Sequence, residues 1–193
     1  MNKRTIIFIT ILLNTYAVMA QSSRDTKMET LNVTFAQKDW KAFAETFPET
    51  FTELMDLYGY KVDSSSNLYH EGWDHVMFLF SDDRIREECY LQKILVLTEG
   101  FYWDADVTSY LGYEVQQMLE MYPDLISKFM EDKPDRLVKD FLKCAIATPH
   151  PEPENTLYYN QLLEIIGLYE ERSSKIVRLI RQAHQELMYE WCE

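Results

Sequence analysis

The chain has 193 residues, with 19 lysines and arginines against 32 aspartates and glutamates, a formal charge of −13 and 47% hydrophobic residues. An acidic balance of that size repels phosphate backbones and anionic membrane surfaces, which excludes nucleic acid as a partner class. The apolar content suffices for an ordinary core, and three cysteines allow at most one internal disulfide, so a disulfide-stapled scaffold is excluded as well.

In chain order, the first feature is an export signal. Lys3 and Arg4 precede the apolar run Ile6 to Leu13, and Val18 and Ala20 offer small residues at a cleavage site, the layout of a secretory signal peptide over residues 1–20. The run is far shorter than the roughly 20 residues needed to span a bilayer, and no later segment is continuously apolar for that distance. A secreted or periplasmic, soluble mature chain is expected, with no membrane span. Cleavage would leave 17 cations against 32 carboxylates, a charge of −15.

Residues 21–34 are polar without an evident period and are expected to form a flexible N-terminal arm leading into one helical domain over 35–193. The apolar residues then recur at helical rather than alternating spacing. Ala36, Trp40, Phe43, Ala44 and Phe47 fit one stripe of a helix; Phe51, Leu54, Met55 and Tyr58 fit a second, with Pro48 in its first turn and Gly59 as a left-handed stop. After a loop over 60–72, a short apolar helix is expected from Asp74 to Phe80. A central helix that includes Tyr90 to Leu97 follows, ended by Gly100.

Asp104 or Asp106 is suited to cap the next helix, whose stripe is Leu111, Val115, Met118 and Tyr122. Pro123 and Pro134 each restart the chain, the second ahead of Leu137, Phe141, Cys144 and Ala145. The prolines at 149, 151 and 153 make 148–155 a linker loop. A terminal helical hairpin is expected beyond it, one helix with Tyr158, Leu162, Ile165, Ile166 and Tyr169 inward, the other with Ile176, Ile180, Ala183, Leu187 and Trp191. The fold class is therefore all-α, an irregular bundle of about seven to eight helices after a cleaved signal peptide.

Two segments carry candidate binding residues. At Glu99, Tyr102, Trp103, Asp104 and Asp106, carboxylates and aromatic rings meet between helices, a pairing that grips or cleaves sugars. At His70, Trp73 and His75, two of the four histidines stand beside acids, but five residues and a glycine separate them, unlike the i, i+4 spacing of a metalloprotease helix. No metal, cofactor or catalytic set is expected. There is no Gly-rich phosphate loop and no nucleophile elbow.

These features favour a non-enzymatic exported binding protein whose acidic surface meets a cationic protein. In composition alone, with no motif behind the likeness, the chain resembles the small acidic helical binding or inhibitory proteins of exported compartments, immunity proteins among them. The alternative is a carbohydrate-active hydrolase or a sugar-binding protein using Glu99, Trp103, Asp104 and Asp106, with a glycan as partner.

Overall fold

A computed structural model describes residues 22–60, 67–104, 106–147 and 157–190. The expected signal segment 1–20, the heart of the expected 60–72 loop, the expected 148–155 linker and the last three residues lie outside the described residues. What is described is all-helical, with ten helices and no strand. None of the described helices is long and apolar enough to cross a membrane. The helices are α1 (22–37), α2 (Trp40–Thr46), α3 (Phe51–Tyr58), α4 (Gly72–Phe80), α5 (Glu88–Leu97), α6 (Val107–Met121), α7 (Pro123–Met130), α8 (Asp135–Ile146), α9 (Leu157–Tyr169) and α10 (Ser174–Glu190). Short 3-10 turns at Tyr69–Glu71 and Asp83–Arg86 precede α4 and α5.

The expected arm is helical instead. In α1, Leu31 and Thr34 are buried and Arg24, Lys27, Met28 and Phe35 are partly covered, an i, i+3, i+4, i+7 stripe whose period is masked by its polar members. The hydroxyls of Thr26, Thr30 and Thr34 donate to the carbonyls of Ser22, Thr26 and Thr30, each four residues back. The single stripe expected over 36–47 is also broken. Lys38 has φ 58°, Asp39 restarts the chain by accepting from the Ala42 amide at 3.1 Å, and Ala36 is left exposed at the end of α1.

Contacts divide the chain into two compact units after Phe47, where the sequence reading ran one domain onward from 35. The residue before a proline is driven to extended backbone, and Phe47, with ψ 147°, ends α2 there. Within the first unit the Phe43 ring packs between Phe35 and Phe47, at centroid distances of 6.3 and 5.7 Å.

In the second unit α3 opens on a reciprocal cap. Thr50 accepts from the Glu53 amide at 3.2 Å while the Glu53 carboxylate accepts from the Glu49 amide at 2.9 Å. Gly59 ends α3 in extended rather than left-handed backbone; the left-handed stop is Gly100, with φ 74°, just beyond α5. Helix α6 packs on α4 and α8, and α8 on α10. Val138, Phe141, Leu142, Cys144, Ala145 and Ile146 of α8 are all buried, as are Ile176, Leu179, Ile180, Ala183 and Leu187 of α10.

Ion pairs tie Asp135 to Arg178 at 2.7 Å, Lys139 to Glu186 at 2.5 Å and Lys143 to Glu190 at 2.6 Å. Both numberings rise together, so α8 and α10 run parallel, and α9 carries the chain back between them. The hairpin turn is set by Ser173, whose hydroxyl accepts from the Ile176 amide at 3.2 Å.

Gly167 sits in the interior of α9 on its exposed side, and a Cβ there would meet no atom within 4 Å. Gly167→Ala is therefore expected to stabilise the protein by about 0.5–1 kcal/mol, through the smaller entropy loss of alanine in a helix. Thermal unfolding followed by circular dichroism would show this as a higher midpoint.

Candidate functional site

The segment after α5 is pinned to α8. Glu99 forms an ion pair with Arg136, and the Gly100 amide donates to Asp140 Oδ2 at 2.8 Å. Phe101 is buried against Phe51, while Tyr102 stands edge-on to the same ring at 5.0 Å with 52% of its surface exposed. Trp103 is partly buried. Asp104 starts α6 through its main chain, its amide donating to Thr108 Oγ1 at 3.2 Å and its carbonyl accepting from the same hydroxyl.

Asp106 occupies the N-cap position of α6, as expected from its residue type, yet its side chain makes no capping bond. Its backbone has φ 62° and ψ −101°, a region that L-residues enter at a cost. Its carboxylate instead accepts the hydroxyl of Tyr69, 37 positions earlier in the chain. Glu99 and Asp106 thus serve different neighbours, one on α8 and one on the turn before α4.

That turn is itself held on α3. The Leu68 amide donates to the Leu57 carbonyl at 2.8 Å, and the Asn67 side chain donates to the Gly59 carbonyl at 2.7 Å while accepting from the Tyr69 amide at 3.2 Å. From this anchored start the two histidines diverge. His75 is fully buried with Nδ1 2.9 Å from the Tyr58 hydroxyl, and burial lowers its pKa to about 4 against the opposing charge of Asp74. His70 is exposed beside the Tyr69 ring. Among the described residues, no three His, Cys, Asp or Glu side chains gather as metal donors. Cys89 is an exposed thiol; Cys144 is buried in α8, which pushes its thiol pKa well up.

Tyr69 and Trp73 lie four residues apart along the turn and α4, and Asp106 and Tyr110 lie four apart at the start of α6. Packing of α4 on α6 sets these pairs against each other as two rungs. The Tyr69 hydroxyl meets the Asp106 carboxylate, and the Trp73 ring stands at 84° to the Tyr110 ring with centroids 5.0 Å apart. Tyr60 joins from the far side, its ring 5.6 Å from that of Tyr69. The hydrogen bond to Asp106 is the main cause that raises the Tyr69 pKa to about 12, with smaller contributions from burial and from the Tyr110 and Tyr60 phenols.

Of the residues singled out in the sequence, His70, Trp73 and Asp106 come together here. His75 lies buried against Tyr58, while Glu99 and Tyr102 are turned toward α8 and α3. Tyr60, Tyr69 and Tyr110 complete the cluster without having been singled out; the matching i, i+4 spacings of 69/73 and 106/110 were the available signal. Two open clefts of about 480 Å³ lie elsewhere, one at Ser127, Arg172 and Lys175 and one at Leu91, Phe129 and Lys133. Comparison with protein-family models, curated proteins and solved structures finds no match for this chain.

Proposed function

We propose that the chain is a non-enzymatic binding protein, secreted or periplasmic, that meets a cationic protein through its acidic surface, in the general manner of immunity or inhibitor proteins. The observation that carries this reading is how the charges are distributed. Cations of the second unit are held in internal pairs: Arg136 with Glu99, Arg172 with Asp124, Lys175 and Arg178 with Asp135, Lys139 with Glu186, and Lys143 with Glu190. The excess of carboxylate therefore faces outward. Glu164 on α9 and Glu170 and Glu171 in the turn just after it are exposed, as are Leu163 and Gly167, and the three carboxylates meet no cation among the described residues.

A field of one sign steers an oppositely charged partner and speeds its encounter, and salt screens it over a Debye length of about 10 Å at 0.1 M. Export is supported by the order of Lys3 and Arg4, the apolar run and Ala20. The absence of catalysis is supported by the separate engagements of Glu99 and Asp106, since a glycosidase needs its two carboxyls to flank one bond.

Titration with an oligolysine peptide tests the proposal. Affinity is expected to fall steeply between about 50 and 500 mM salt, and to drop at low salt in the Glu164→Gln, Glu170→Gln, Glu171→Gln triple variant. Binding that is indifferent to salt and to the three substitutions would overturn it. A glycan-binding surface is the second reading, favoured by the half-exposed rings of Trp73 and Tyr102. It predicts retention on oligosaccharide beads that salt leaves unchanged.

A further inference from the structure

We infer that Tyr60, Tyr69, Trp73, Tyr110 and Asp106 form the seat for a single lysine or arginine side chain of the cationic partner. This rests on the reading above and deepens it, since it names one place and one chemical group within a diffuse acidic surface.

The first support is Asp106. It holds a strained positive φ at the start of α6 and gives up the capping bond its residue type favours, so that its carboxylate stands among phenols. It meets no cation among the described residues, although the chain supplies cations to Asp82, Asp83, Glu99, Asp124 and Asp135. A carboxylate kept from both capping and ion pairing, and fixed by one phenol, is preset to take a positive charge from outside.

The second support is the rings around it. Tyr60 keeps 68% and Trp73 46% of their surface exposed. Their edge-to-face contacts with Tyr69 and Tyr110 fix them in place, at 74° and 84°, without covering them. The negative face of an aromatic ring attracts an ammonium or a guanidinium, indole most strongly, and an adjacent carboxylate adds direct charge pairing. Tyrosine and tryptophan held on rigid elements are also the residues that dominate protein interfaces, because little entropy is lost when they are covered. Rigidity is supplied here by the α4 and α6 contact and by the Asn67 lock on α3.

The test is calorimetric titration of the full chain with oligolysine at low salt, with circular dichroism to confirm folding. Trp73→Leu keeps an apolar body against Tyr110 and removes the indole. Asp106→Asn keeps the side-chain size and an acceptor for Tyr69 while removing the charge. Each is expected to weaken oligolysine binding about tenfold, with Tyr102→Ala at wild-type affinity. Unchanged affinity in both variants would overturn the seat and leave the broader acidic-surface reading standing. No oligolysine binding by the wild type would sink both together. Binding of neutral chitohexaose in place of oligolysine, lost in Trp73→Leu, would overturn the seat in favour of a sugar site.

Discussion

Replacing Gly112 by alanine is expected to destabilise the second unit by about 2 kcal/mol, the largest effect of any single added methyl described here. Gly112 lies where α6 crosses α8. A Cβ built on it would stand 2.7 Å from the carbonyl oxygen of Cys144 and 3.7 Å from its carbonyl carbon. Those are backbone atoms of a buried helix, so no side chain can swing aside and the two helices must separate. Separation opens space around Leu111, Val115, Phe141 and Ala145, all buried at this crossing or beside it.

Overpacking of this kind costs about 1–3 kcal/mol, and the better helix propensity of alanine offsets at most about 1 kcal/mol of it. For a chain of this size the midpoint of thermal unfolding should fall by roughly 4–8 °C. A midpoint equal to or above that of the wild type would show that the helices do not approach this closely.

The second large effect is on acid stability. His75 is buried and neutral in the folded chain, with a pKa near 4 against an ordinary value near 6.5. As pH falls below 6.5 the unfolded chain takes up a proton at this position while the folded chain refuses it until about pH 4. The unfolded state therefore binds more protons across that window, and stability present at neutral pH is lost as the solution is acidified. The loss attributable to His75 is on the order of 2–3 kcal/mol by pH 4.

His184, partly buried on α10 with its pKa also lowered by burial, adds in the same direction. Asp82 and Asp135, held down by hydrogen bonds from arginine, act only at lower pH, where their carboxylates protonate. Urea unfolding at pH 7 and pH 4.5 separates these contributions. His75→Leu should lower stability at pH 7 by removing the bond to Tyr58, yet lose less than the wild type on acidification. An equal loss in both proteins would place the acid sensitivity elsewhere.

How far the sequence could be read depended on whether a helix shows its inward face in apolar residues. Helices α8 and α10 do, and Phe141, Cys144, Ala145, Ile176, Ile180, Ala183 and Leu187 are buried as their spacing predicts. Helix α1 does not. Arg24, Lys27 and Thr34 occupy its covered side, the Thr34 hydroxyl bonded to the Thr30 carbonyl, so the same period looked like an unstructured arm.

At Lys38 a positive φ breaks what the spacing presents as one stripe, so Ala36 ends on the exposed side of α1 while Trp40, Phe43, Ala44 and Phe47 are buried. Asp106 was recognisable as a cap residue but not as one whose backbone would deny it the capping bond. The site suffered most, since its rungs join positions far apart in the chain: Tyr69 with Asp106 and Trp73 with Tyr110. His70, Trp73 and Asp106 were legible as chemically able residues, whereas their company was decided by how α4 packs on α6.

The parallel course of α8 and α10 bears on the order in which the molecule is assembled. Two parallel helices cannot close on each other as a hairpin, so α9 must first carry the chain back before α10 can pack on α8. A chain emerging amino end first carries the α10-facing side of α8 uncovered until α10 has followed. The ion pair between Lys143 and Glu190 then joins the end of the buried helix to the last described turn of the chain. It closes only once that turn has been made, so it fastens α10 to α8 after both helices exist and does not guide the formation of α8.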